Sequence, residues 1–194
     1  APRLKVISRH GVGVDNIDVQ AATERGVWVT YAPESNASSV AEYAVGMIIA
    51  LARNFVRGDH ATRTGDWEFR NRVKGADLAG KVLGIVGAGR VGSLVAKKAR
   101  YGLDMEILVY DPYIKEIKGV PDAKLVTDLE QVFKTADFIS LHLPATKETR
   151  GLIGKKYFEM MKPTAYLVNA ARGDILVEKD LAEALKSGKI AGAG

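Results

Sequence analysis

Six residues, Gly87-Ala88-Gly89-Arg90-Val91-Gly92, spell G-x-G-x-x-G between an apolar run and a helix-forming stretch. That spacing suits a phosphate-bearing ligand. Gly87 permits a tight turn, Gly89 lets the backbone approach a pyrophosphate, and Gly92 lets a helix pack close to a strand. The N–H groups at the helix start, around Arg90 and Val91, face the phosphates and carry the positive end of the helix dipole. Asp111 follows 19 residues after Gly92. It closes a second apolar run, where a carboxylate can accept both hydroxyls of an adenosine ribose. The same charge disfavours a 2′-phosphate, so the pattern predicts NAD rather than NADP. A lone glycine motif is a weak signal; here strand, turn, helix, second strand and acid fall in register.

Two later segments carry further chemistry. Leu141-His142-Leu143-Pro144 follows a buried strand. Pro144 has a fixed φ and no donor, which suits a wall against a flat nicotinamide ring. Asn169-Ala170-Ala171-Arg172-Gly173 puts small residues and one arginine just beyond another strand. Ala170 and Ala171 would let a cofactor approach the backbone. Arg172 offers a planar fork of donors for a carboxylate or a polarised carbonyl; the plainer alternative is a helix-terminal or surface ion pair. Of the three histidines, His10 reads as a loop residue, His60 as surface, and His142 as packing near the cofactor or a satisfied buried ring. The chain has no cysteine, which excludes disulfides and thiolate metal sites, and no metal site is expected.

Strands and helices must alternate to bring these residues together. Predicted strands are Leu4–Ser8, Val27–Tyr31, 82–86, 106–111, Lys124–Val126, Asp137–Leu143 and Ala165–Asn169, with another starting at Ile190. Predicted helices are Asp18–Arg25, 90–101 closed by Gly102, Lys155–Met161 and Lys179–Ser187. Two capping boxes are read, Ser39-Val40-Ala41-Glu42 and Thr127-Asp128-Leu129-Glu130. The first opens a helix to about Arg53, with Val40, Ala44, Met47, Ile48 and Leu51 on one face for a core or a partner subunit. The second opens a helix to about Thr135. Residues 54–80 are more polar and read as a connector. The fold class is α/β, a doubly wound Rossmann sheet with a remnant of a second α/β substrate domain. The expected division is 1–35 for that remnant, 36–80 for an interdomain helix and connector with dimer contacts, and 81–194 for the NAD-binding domain.

Hydrophobic residues make up 47% of the 194 positions, enough for a sizeable core. No apolar run is long enough to span a membrane, and no signal peptide is visible. A cytoplasmic protein is expected. The net charge of +5 is spread among interleaved acids and bases, which fits solvated helix faces and anionic small ligands better than nucleic acid.

Gly11-Val12-Gly13-Val14-Asp15-Asn16-Ile17-Asp18, Ala32-Pro33 with Asn36 and Ser39–Glu42, the glycine motif, Leu143-Pro144-Ala145-Thr146 and Asn169–Asp174 occur in this order. Together they resemble the D-isomer-specific 2-hydroxyacid dehydrogenases, most closely the phosphoglycerate dehydrogenase branch. The resemblance implies hydride transfer between NAD and a small D-2-hydroxy acid, or its 2-oxo counterpart, in a homodimer or larger homo-oligomer. Arg172 would bind the substrate carboxylate and polarise its carbonyl. Backbone N–H groups of Val12 and Gly13 would cradle that carboxylate, with Asn36 nearby. Arg90 and Val91 would bind pyrophosphate, and Asp111 ribose. Leu143, Pro144 and Ala170–Arg172 would line the nicotinamide and adenosine sides. The family's catalytic glutamate and histidine follow the arginine, and neither motif occurs here. The expectation is therefore a piece of an enzyme, cut at both ends, that binds NAD(H) without appreciable turnover. Two alternatives stay open: an NAD-sensing interaction protein of the same fold, and a glyoxylate or hydroxypyruvate reductase.

Overall fold

Val82-Leu83-Gly84-Ile85-Val86 is apolar at every position, a pattern that fits a strand covered on both faces. In the computed structural model, which describes residues 2–194, this strand lies inside a six-stranded parallel sheet. The chain divides into two units, one ending at Ser39 and one spanning Val40–Gly194.

The first unit is a small β-α-β. Strands β1 (Val6–Ser8) and β2 (Trp28–Thr30) pair in parallel around helix α1 (Val19–Glu24). The Asp18 carboxylate accepts the Ala21 N–H at 2.8 Å and caps α1. Gly26 turns the chain at φ +65°. Both strands are shorter than expected: three residues of each pair, flanked by the Trp28 N–H to Lys5 carbonyl and Arg9 N–H to Thr30 carbonyl bonds, and Leu4 and Tyr31 lie outside the pairing, exposed.

The second unit begins within helix α2 (Ala37–Ala52). This helix starts two residues ahead of Ser39, so the expected capping box lies inside it rather than at its start. Its buried stripe is Ala41, Ala44, Ile48 and Ala52, a spacing of three and four residues; Met47 and Leu51 are only partly covered. Residues 54–80 contain two helices not foreseen, α3 (Phe55–Thr64) and α4 (Phe69–Arg72). Ala61 is the one residue α3 buries, so its sequence carries no apolar periodicity.

The sheet then builds in order: β3 (Val82–Val86), α5 (Arg90–Leu103), β4 (Glu106–Tyr110), β5 (Lys124–Val126), α6 (Leu129–Thr135), β6 (Phe138–Leu141), α7 (Lys155–Met160), β7 (Tyr166–Asn169), α8 (Glu178–Lys186) and β8 (Gly192–Ala193). Strand order is β5-β4-β3-β6-β7-β8, all parallel. Helix α5 runs past Gly102 and stops at Asp104, which takes the left-handed conformation at φ 52°; aspartate is among the few residues that tolerate it. Asp128, not Thr127, caps α6, accepting the Glu130 N–H at 2.9 Å. β6 ends at Leu141, short of the expected Leu143.

Strand side chains alternate between two cores. Leu83, Ile85, Phe138 and Val168 face α2 and α5. Val86, Ile139, Leu141 and Leu167 face α6, α7 and α8. Each large buried side chain, such as Phe133 or Phe158, contributes about 1.5–3 kcal/mol. Helix α6 sits so close that a Cβ on Gly84 would lie 2.5 Å from Val132 Cγ1. At the amino end of the sheet, Asp137 ties three segments. Its carboxylate accepts the Val82 N–H at 2.9 Å and the Lys162 ammonium at 2.9 Å. Burial pushes that carboxyl up, but these donors outweigh it and leave the pKa below the ordinary range.

Candidate functional site

The strand order reverses between β3 and β6, and open α/β sheets bind ligands at the carboxyl ends of the strands at such a point. The β3–α5 turn lies there. Gly87 has φ +88°, a conformation that favours glycine. A Cβ on Gly87 would stand 3.0 Å from the His142 carbonyl carbon and 3.0 Å from Leu143 Cδ2. A Cβ on Gly92 would stand 2.1 Å from the Gly87 carbonyl oxygen. Gly89 differs, since a Cβ there would meet nothing within 4 Å. The turn is closed beneath and open above, which fits a pyrophosphate lying on it. Arg90, Val91 and Gly92 form the first turn of α5, where N–H groups have no intrahelical acceptor.

Asp111 lies at the end of β4. One carboxylate oxygen accepts the Ala88 N–H at 2.8 Å, and the other accepts the Tyr113 N–H at 2.9 Å. Each oxygen keeps a lone pair for a further donor. The acid is thus aimed at the glycine turn by its own backbone partners, as ribose recognition requires.

On the other side of the reversal, the β6 exit is stapled by hydroxyls. The Thr149 hydroxyl donates to the Pro144 carbonyl at 2.5 Å, and the Thr146 N–H donates to Thr149 Oγ1 at 2.7 Å. The His142 N–H donates to the Val86 carbonyl at 2.8 Å, extending the β3–β6 ladder by one step. The His142 ring bonds Ser140 Oγ through Nε2 at 2.8 Å, while its Nδ1 is sealed from solvent without a partner among the described residues. Burial pushes the imidazole from its ordinary 6.5 down to about 4, so it is neutral at pH 7. Of the two readings expected for His142, packing near the cofactor or a satisfied buried ring, the second is met at Nε2 alone.

Beyond β7, Asn169 folds the chain back on itself. Its side-chain oxygen accepts the Ala171 N–H at 3.1 Å and its amide donates to the Arg172 carbonyl at 2.8 Å. This local bonding is the kind that makes asparagine a turn residue. It holds Ala170 and Ala171 at the strand end, with Arg172 half-buried and its guanidinium donating to the Ala171 carbonyl at 3.0 Å. Arg150 and Asp174 pair between the β6 and β7 exits.

The second unit therefore brings Gly87, Gly89, Arg90, Val91, Gly92, Asp111, Leu143, Pro144, Ala170, Ala171 and Arg172 to the carboxyl ends of β3, β4, β6 and β7. Val12, Gly13 and Asn36 belong to the first unit. There, Gly11 has φ +127°, its carbonyl accepts the Ala32 N–H at 3.0 Å, and Arg9 Nε donates to the Gly13 carbonyl at 2.9 Å. Val12 and Gly13 sit in a loop braced at both ends, and Asn36 immediately precedes α2. His10 and His60 are exposed. Sequence reasoning missed Ser140, Thr149 and the double hydrogen bond of Asn169. Of these, only Asn169 carried a signal, an asparagine directly before a small-residue turn. Among the described residues, no three His, Cys, Asp or Glu side chains converge as a metal site, and no single helix is long and apolar enough to cross a membrane.

Residues 45–194 match the family described as D-isomer specific 2-hydroxyacid dehydrogenase, NAD binding domain. The D-3-phosphoglycerate dehydrogenase of Methanocaldococcus jannaschii is 48% identical over the whole chain, which spans 37% of that protein. The glyoxylate reductase of Pyrococcus furiosus is 42% identical, again over the whole chain, which spans 59% of that protein. The holo structure of Rhodotorula graminis D-mandelate dehydrogenase superposes with a TM-score of 0.91 at 35% identity, covering 100% of this chain and 59% of its own. This chain thus corresponds to between about a third and three fifths of the relatives it matches.

Proposed function

The chain belongs to the D-isomer-specific 2-hydroxyacid dehydrogenases and carries their NAD-binding domain, and on that premise we propose that it holds NAD, in preference to NADP, in the crevice between β3 and β6. The observation that carries this reading is the Asp111 carboxylate. It is locked to the Ala88 N–H beside a glycine turn with open space above Gly89. The diphosphate would lie on the first-turn N–H groups of α5. The adenosine ribose would take the free lone pairs of Asp111, where a 2′-phosphate would meet a like charge. Leu143, Pro144, Ala170 and Ala171 would wall the remaining length of the dinucleotide. When bound, the nicotinamide supplies or accepts the hydride.

Arg172 is the residue proposed for substrate. Its planar guanidinium would clamp the carboxylate of a 2-hydroxy or 2-oxo acid and polarise the adjacent carbonyl. In the first unit, the braced loop at Val12 and Gly13, with Asn36, is proposed from the family resemblance as a substrate-binding element in its own right. A small D-2-hydroxy acid of the 3-phosphoglycerate type is the preferred substrate class, in line with the 48% identity to a relative bearing that name. The relative named glyoxylate reductase, at 42% identity, supports a second reading, reduction of glyoxylate or hydroxypyruvate. A homodimer is part of the same proposal, with exposed Tyr43 on α2, Phe55 and Val56 on α3 and Trp67 in the turn before α4 available for a partner subunit.

Calorimetric titration with NADH and with NADPH tests the cofactor reading. We expect NADH binding on the order of micromolar and NADPH binding at least about tenfold weaker. Equal affinities would remove Asp111 from the ribose site. Binding of neither would overturn the cofactor site as a whole.

A further inference from the structure

We propose that Ser140 and His142 form a positioning pair that sets the distance between the glycine turn and the β6 exit, and so the width of the cofactor crevice. This inference rests on the NAD reading above. Ser140 is the one fully buried polar residue among the described residues. It sits on β6 between β3 and β7, in a strand whose other members are Phe138, Ile139 and Leu141. Alanine would occupy almost the same volume there without a hydroxyl to satisfy. The hydroxyl bonds His142 Nε2 at 2.8 Å, two residues along the same face of the chain. The other ring nitrogen is sealed from solvent and finds no partner among the described residues.

Such a pair is a poor way to stabilise a core. A half-satisfied buried polar group is disfavoured against an apolar replacement, so its presence calls for a reason other than stability. Its location supplies one. The His142 N–H donates to the Val86 carbonyl, the last residue of β3. A Cβ on Gly87 would stand 3.0 Å from the His142 carbonyl carbon and 3.1 Å from its oxygen. Leu143 and Pro144 follow directly. A ring anchored by Ser140 therefore holds a backbone that touches the glycine turn on one side and carries the cofactor wall on the other. The pair acts through Gly87 and Leu143.

The test separates position from stability. Ser140→Ala and the double variant Ser140→Ala/His142→Leu are compared with the parent chain by thermal unfolding and by NADH titration. We expect Ser140→Ala, which strands the His142 ring, to unfold at a lower temperature, the double variant to unfold at or above the parent's temperature, and both to bind NADH about fivefold or more weakly, the weight of one net hydrogen bond. The ¹⁵N spectrum of the His142 ring should show one neutral tautomer in the parent and a mixture in Ser140→Ala. Unchanged NADH affinity in both variants overturns the proposal, as does a parallel fall in stability and affinity in the double variant, which would make the pair ordinary packing. Failure of the parent chain to bind NADH would instead bring down the cofactor reading, and this inference with it.

Discussion

On the β3–β4 side of the crevice, atoms meet where no side chain would fit: Gly92 against the Gly87 carbonyl, Gly87 against His142, with Asp111 tied to backbone N–H groups. On the β6–β7 side, the chain is held by side-chain hydrogen bonds from Ser140, Thr149 and Asn169. The first arrangement is steric and tolerates almost no substitution. The second is polar, and each staple can be removed singly with the strand left in place. In a sheet that binds one cofactor, the phosphate end calls for an invariant shape, while the other end can be adjusted residue by residue.

The contrast can be broken most severely at Gly92. Gly92→Ala forces a Cβ to within 2.1 Å of a backbone oxygen, and neither partner can yield without parting α5 from β3. A loss above about 4 kcal/mol is expected, read as a collapse of the urea midpoint together with loss of NADH binding. Asp111→Ala comes next. It would remove the bonds proposed to ribose and frees the Ala88 N–H, so NADH affinity should fall by about 2–4 kcal/mol. Discrimination against NADPH should shrink as well, and parallel titrations of the two cofactors would read both effects.

His142 sharpens the comparison through pH. Its ring takes a proton near 6.5 when unfolded but only near 4 when folded. Between those values the unfolded chain binds more protons, so stability falls as pH drops through that window, by roughly 3 kcal/mol at most from this residue. The urea midpoints of His142→Leu at pH 7 and pH 4.5 should therefore lie closer together than the parent's. A gap as wide as the parent's would mean that the ring is not held neutral. Asn169→Ala carries the smallest expected effect. Losing two local bonds should cost about 1 kcal/mol of stability and weaken NADH binding by only a few-fold. An effect as large as that of Asp111→Ala would erase the distinction between the two sides.

The same contrast explains what the sequence makes legible. The glycine turn has a steric reason within the chain at Gly87 and Gly92 and open space above Gly89, so the spacing is legible. The central strands read clearly because they are apolar on both faces. Helix α3 was hidden, since a helix that buries only Ala61 leaves no periodic trace. The end of α5 was misplaced at Gly102 because Asp104 adopts the left-handed turn that glycine usually supplies. The start of α2 was misplaced because Ser39-Val40-Ala41-Glu42 has the letters of a capping box but lies inside the helix. The Ser140–His142 pair was out of reach for a different reason. Residues two apart share one face of a strand in every sheet, and only the surrounding apolar core makes this pair unusual.

The bond between Asp111 and the Ala88 N–H bears on how cofactor preference can change. On the proposed reading, the residue that would select the cofactor is also a fastener of the turn that would carry its phosphates, so exchanging it for a small or basic residue would alter selectivity and architecture in one stroke. An asparagine at 111 would drop the negative charge and keep one acceptor, for the Ala88 amide, but would turn its NH2 group toward the Tyr113 N–H, donor against donor. Selection for NADP through the carboxamide therefore gives up one of the two fasteners, and a redesign that starts with a cation gives up both.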